Sequence, residues 1–335
     1  MKTKLITTIM ITLFLASMLV IAFPVKAETT IIVPDDYPTI QEAVNHAIDG
    51  DTIDVRAGTY PETVSVVGFT SLTIEAEGAG LPSKLVKVNP TPIGFTNGFT
   101  VYSDGVTIEG FEIASVNFGI WFEGSNNKFS HNYIHDIYST YTWDDGGVGI
   151  SLWDMDGGSN YNEISHNVIE DIERTGILLD IAWTGGGRGI NTGNSIHHNE
   201  ISGTPWGAIE VLNAEWTEIH HNIITDSGEW GIALITAEEG IDSNYNSIHH
   251  NIISDVSSTD GWGVGIWVGV WGFGSATLNT IHHNVISDIG GMSFGIRMKY
   301  ADYNVIHHNF VDEDSVTNPY SDFGTGNNDF KNSWN

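Results

Sequence analysis

Two sets of residues carry the chemistry. Asp180 ends "TGILLD" (175–180) and Glu210 lies within "AIEV" (208–211). If successive turns of the chain stack, these carboxylates fall within several ångströms of each other, as an acid–base pair cleaving a glycosidic bond requires. Trp121, Trp153 and Trp267 add rings that stack on sugar faces, and Asp154, Arg297 and Lys299 are further substrate-binding candidates. The second set is histidine. "NTIHHNVISDI" (279–289) returns in six other versions, at 127–137, 162–172, 194–204, 217–227, 246–256 and 304–314. Thirteen of the 14 His residues lie inside these repeats and all 11 Trp lie outside, so the two chemistries occupy different faces.

The histidines form two columns. His131, His166, His198, His221, His250, His283 and His308 directly precede an Asn, and His197, His220, His249, His282 and His307 come one residue earlier. Ser130 and Ser165 hold the earlier place in the two lower coils, and an Asp column follows at 136, 171, 226, 255 and 288. Imidazoles stacked about 4.8 Å apart could chelate Zn²⁺ or Cu²⁺, with His249, His250, His282 and His283 as the candidates. A repeated array without a unique ligand set is better explained as the turn residue of the repeat, so no metal is assigned to it. Asp144, Asp145, Asp154 and Asp156 make Ca²⁺ the one cofactor the loops admit, although their spacing matches no complete calcium loop.

These residues need a scaffold that brings them into line. The Asn residues after His stand at 132, 167, 199, 222, 251, 284 and 309, a period set near one coil and interrupted by loops. Each unit adds a glycine-led strand: "FGIWF" (118–122), "VGISL" (148–152), "TGILL" (175–179), "WGIAL" (230–234), "VGIWV" (264–268) and "FGIRM" (294–298). Their apolar residues alternate, and no segment after residue 50 keeps a helical period. The expectation is an all-β, right-handed parallel β-helix of about ten coils, with strands about 4.8 Å apart. Asn is expected to take the left-handed bend and hydrogen-bond to Asn one coil away, with flanking Ile pointing inward. The outward positions should then present Trp121, Trp153, Asp180, Trp267, Arg297 and Lys299 along a groove beside the loops at 138–147 and 182–189.

One segment differs. "PTIQEAVNHAIDGDTIDV" (38–55) begins with Thr39 and Glu42 in capping-box spacing, continues with an apolar stripe through Ile48 and stops at Gly50. It predicts a helix over 39–49 that covers the open end of the stack. The single β-helix domain then spans 28–335, with coils at 50–315 and a C-terminal cap at 316–335. Residues 1–27, with Lys2 and Lys4 before the apolar run 5–23 and "VKA" at 25–27, read as a secretory signal peptide, with an uncleaved membrane anchor as the alternative.

"YPTIQEAVNHAIDGDTIDVRAGTYPETVSV" (37–66) and the "NxIxxN" repeats resemble the pectin-lyase-like β-helix superfamily, including pectin methylesterases and NosD-type secreted proteins. The resemblance implies the fold; its members include lyases, hydrolases, esterases, adhesins and structural proteins. The methylesterase glutamine-aspartate pair with its "DFIFG"-like strand is missing here, as is the glycine-histidine-glycine element of polygalacturonases. "GIRMKY" (295–300) is similar to the arginine-x-lysine strand of the latter.

After removal of 1–27, nine basic residues face 42 acidic ones, a net charge of −33. Such a surface excludes nucleic acid and anionic membranes as partners and disfavours polyanionic glycans unless cations intervene. Without Cys there are no disulfides or thiolate metal sites. The leading expectation is a secreted or cell-envelope protein that binds or processes a polysaccharide or envelope glycan through the Trp/Asp face, as a hydrolase or lyase if catalytic. The alternatives are a non-catalytic envelope or adhesion protein and a metal-handling accessory protein using the histidine edge.

Overall fold

The computed structural model describes residues 28–78, 80, 84–90, 96–139, 146–154, 158–180, 190–237, 241–257, 262–270 and 274–334. The expected signal peptide, most of the loop at 138–147, all of the loop at 182–189 and Asp144, Asp145 and Asp156 lie outside them. Among the described residues three long sheets hold 12, 10 and 11 strands, giving about eleven coils, and one helix follows the first strand, Thr30–Val33. Strands pair in parallel with the next coil and in constant register, apart from a shift between Ile289 and Phe294 on the last coil. Ile196, Ile219, Ile248, Ile281 and Ile306 stand directly over one another, as do Ile201, Ile224, Ile253 and Ile286. These ladders are buried in one continuous core. The glycine of each glycine-led strand has a packing reason: a Cβ on Gly149 would sit 2.6 Å from the Gly176 carbonyl oxygen.

The corners differ from expectation in which residue bends. The histidine before each ladder Asn takes the left-handed conformation, with φ of 54–57° from His131 to His308. The Asp column takes a second corner at φ 49–54°. Both residue types tolerate this region better than most non-glycine residues. The Asn that follows His is freed for a different task. Asn199 donates its backbone N–H and its Nδ2 to Asn222 Oδ1 at 3.1 and 3.0 Å, and Asn222 repeats this to Asn251 at 3.0 and 3.0 Å. The ladder runs on from Asn132 to Asn332. A second ladder runs through the Asn that opens each repeat, including Asn127, Asn162, Asn194, Asn246, Asn279 and Asn304, with Thr217 replacing one member.

Helix α1 covers Ile40–His46 and buries Ile40, Ala43 and Val44 against the first coils. Thr39 Oγ1 accepts the Glu42 N–H at 3.1 Å, while Glu62 accepts the Ile40 and Gln41 N–H groups. The helix ends four residues before Gly50, because Ala47 is extended and Asp51 Oδ2 accepts the Ile48 N–H at 3.0 Å. No helix among the described residues is long and apolar enough to cross a membrane.

Candidate functional site

The 10-stranded sheet carries the Trp and Asp candidates. Its strands include β1 (Phe118–Glu123), β2 (Val148–Trp153), β3 (Thr175–Asp180), β4 (Gly207–Leu212), β5 (Trp230–Thr236), β6 (Trp262–Val270) and β7 (Ile289–Lys299). In β3, Ile177 and Leu179 enter the core, which turns Leu178 and Asp180 to the outer face. Register then aligns an outer column of Trp121, Ser151, Leu178, Glu210, Ala233, Trp267 and Arg297. Trp153 pairs with Asp180 in the column beside it. Asp180 and Glu210 are therefore diagonal neighbours on adjacent coils, about 7–8 Å apart at the backbone.

That outer face is not an open groove. Phe118, Val148, Leu178, Leu212, Trp230, Ala233, Ile235, Val264 and Trp267 form a second apolar layer on it. Glu210 and Asp180 are only 5% and 8% exposed within this layer, and Trp267 only 9%. The reason lies in the strands: "WGIALIT" (230–236) is apolar at both alternations, the pattern of a sheet covered on both faces. Burial and the nearby Asp180 push the Glu210 carboxyl up to about 8, opposed in part by Arg174. Glu210 is thus protonated at neutral pH. Arg174 also lies over the Trp206 ring at 4.4 Å.

The other candidates divide by depth. Trp153 and Trp121 are half-buried, and Trp121 stacks on Phe118 at 5.8 Å and meets Tyr102 edge-on at 6.1 Å. Asp154 is buried, and its Oδ2 accepts from Ser159 N–H and Oγ at 3.0 and 2.8 Å. Arg297 lies over Phe294 at 4.8 Å, and Lys299 Nζ lies over Trp267 at 5.6 Å, so both extend the aromatic packing.

The histidine edge is regular. Rings within each column stack 4.8–5.0 Å apart from His166 upward. His249 and His250 approach through their Nδ1 atoms at 2.9 Å, as do His282 and His283. Burial first, then neighbouring imidazoles, hold His220, His249 and His282 down to about 4, so they are neutral at neutral pH.

Two features escaped the sequence reading. Tyr102, Asp104 and Glu123 line an open cavity of about 380 Å³ at the lower end of the outer face. Tyr161, Trp216, Tyr245, Leu278 and Tyr303 form an exposed corner column at φ 56–59°, with Trp216 and Tyr245 stacked at 4.5 Å. Each directly precedes the opening residue of a repeat, so extending the aligned segments by one position would have disclosed it.

Known proteins offer likenesses in fold. Residues 93–248 match the family model described as "Right handed beta helix region". A crystal structure of an alginate lyase from Paenibacillus sp. superposes with a TM-score of 0.63 at 17% identity, covering 89% of this chain and 99% of that one. Pectate lyase Pel9A gives 0.50 at 11% identity, covering 93% and 81%. A search of curated protein sequences returns no match. The matched region and these superpositions, on a stack whose three long sheets are parallel, show that the chain has the right-handed parallel β-helix fold.

Proposed function

We propose that this is an exported carbohydrate-processing protein that hydrolyses glycosidic bonds at the outer face of the 10-stranded sheet. The carboxyl pair on adjacent coils carries the reading. Folding alone disfavours it, since burying carboxyl groups in an apolar layer costs free energy that Leu or Val in their place would not. The protonated Glu210 suits the general acid: it passes its proton to the glycosidic oxygen as the C–O bond breaks. Asp180 supports the positive charge that develops on the sugar, and water completes the cleavage. Trp153 is the half-buried ring beside the pair and stacks on the sugar. Substrate must displace whatever covers Glu210. The net charge of −30 favours an uncharged polysaccharide over a polyuronate. The apolar run at 5–23 supports export.

The test incubates the purified chain with β-glucan, xylan, arabinan, alginate and polygalacturonate, with and without Ca²⁺. Reducing ends report hydrolysis and ultraviolet absorbance reports the unsaturated ends left by a lyase. New reducing ends without unsaturation are expected, lost about 100-fold or more in Glu210→Gln and Asp180→Asn while circular dichroism is unchanged. Unsaturated products would replace hydrolase by lyase. No product from any polymer, combined with retention on immobilised glycan, would favour a non-catalytic envelope protein. The apolar outer layer and the exposed aromatic corner column are the observations that support this second reading.

A further inference from the structure

We infer that the upper end of the histidine edge binds a divalent late-transition-metal ion through His283, His307 and His308. One ligand nitrogen from each of these residues lies within 4.8 Å of the other two. His307 and His308 bring their Nδ1 atoms to 2.8 Å. The pairs at 197/198, 220/221, 249/250 and 282/283 repeat this approach at 2.9 Å. Two neutral imidazoles at this distance share one proton between two lone pairs, and an ion can take its place. The proton moves to the Nε2 of its own ring through solvent, so binding releases none.

The separation narrows the choice of ion. Two nitrogens bound at about 2.0–2.1 Å lie about 2.9 Å apart when they meet the metal at a right angle, and about 3.3 Å apart at the tetrahedral angle. The pairs therefore fit adjacent corners of a square or octahedral ion, which favours Ni²⁺ or Cu²⁺ over Zn²⁺. His283 supplies a third nitrogen from the coil below, which the exposed His308 ring reaches by side-chain rotation. Phe330 stacks on His307 at 5.2 Å and fixes the ring that ends the column. The acidic surface raises the local cation concentration. Stacked rings 4.8–5.0 Å apart leave too little room for two divalent charges on adjacent coils. Filling should alternate, with His249/His250 next after the upper site. Of the four candidates favoured from spacing alone, this first site keeps only His283 and adds the pair one coil above it.

The chain without a histidine tag is stripped with EDTA and titrated calorimetrically with NiCl₂, ZnCl₂ and CaCl₂ at neutral pH. The expected result is a first saturable phase of one Ni²⁺ per chain with no comparable Ca²⁺ phase. Combining His307→Gln with His308→Gln should weaken that phase by at least about tenfold. Combining His249→Gln with His250→Gln should leave it in place and remove a later one. Absence of saturable Ni²⁺ binding, or a first phase that survives the 307/308 change, overturns the proposal. So does a first phase lost equally from the 249/250 variant. Should the 307/308 variant fail to fold, electron paramagnetic resonance of the unaltered chain with one Cu²⁺ decides: imidazole nitrogen splitting supports the site, and oxygen-only ligation overturns it.

Discussion

Asn251→Leu tests the idea that the ladder, rather than apolar packing alone, holds the coils in register. Asn251 Oδ1 accepts the Asn222 N–H and Nδ2, both at 3.0 Å. Its Nδ2 donates to the Ile219 carbonyl and to Asn284 Oδ1, both at 2.9 Å. Leu has the same branching and heavy-atom count but is larger, so crowding adds to the lost polar contribution. The change leaves the Asn222 N–H and one Asn222 amide hydrogen without partners, while the Ile219 carbonyl keeps its place in the sheet ladder and Asn284 Oδ1 keeps the Asn251 N–H at 3.0 Å. Each orphaned buried group costs about 1–3 kcal/mol. Burying the Leu side chain returns about 1.5–3 kcal/mol. At the middle of these ranges the net loss is about 2 kcal/mol. Stability in a stack of this kind is a sum over neighbouring coils, so the loss should also divide the urea transition followed by circular dichroism into two. Ile252→Thr, on the neighbouring exposed side chain, serves as the control and should shift the midpoint little. If Asn251→Leu stays within about 0.5 kcal/mol of the unaltered chain, like an ordinary surface change, the ladder is not what holds the coils.

Glu210→Gln should change how stability depends on pH. The folded carboxyl titrates near 8 and the unfolded one near the ordinary 4.5, so between those values the folded chain keeps a proton that the unfolded chain has lost. Stability of the unaltered chain therefore falls as pH rises through that window, and urea midpoints of the Gln variant should lack this component; parallel curves would refute the burial argument. Trp267→Ala empties a place in the outer layer where Trp267 meets Trp230 at 5.7 Å, so thermal melts should report a loss of about 3–5 kcal/mol. Trp153→Ala, half-buried, should leave the melt nearly unchanged and weaken retention in glycan affinity electrophoresis by about 1 kcal/mol. Thr217→Asn restores the missing member of the second ladder, where Thr217 Oγ1 is buried without a hydrogen bond among the described residues, and should raise the urea stability by about 1 kcal/mol. No gain there would mean that the surrounding space does not admit an amide.

The stack was legible because its signals are local and repeated. Period, alternation of Ile and a recurring Asn together demand one coil per unit. The corner was half-legible: His and Asn are adjacent and both tolerate a left-handed bend, so spacing alone cannot say which bends and which bonds. The second ladder stood in view as the first letter of each repeat, where it read as a boundary. Burial of Asp180 and Glu210 was harder to foresee. Alternation identified the inner face of β3 and β4, but the outer face depends on Leu178, Leu212 and Ile235 acting together across coils. The early end of α1 depends on Asp51, a residue beyond the helical pattern.

The ladder has a further consequence for how such a chain can change over generations. Asn199 and Asn222 are 23 positions apart and Asn132 and Asn167 are 35 apart, yet both pairs make the same two bonds at 3.0–3.1 Å. Extra chain leaves at a corner and returns without displacing the pairing above it. Selection can therefore lengthen, shorten or replace an excursion on one coil while its neighbours remain fixed. Duplication of a whole unit likewise arrives already compatible with the units beside it. A single-residue insertion between two corners has no such freedom, because it would turn every following side chain to the wrong face. Inherited novelty in this architecture should accumulate in the excursions and in the number of units, while the spacing from corner to corner stays nearly fixed.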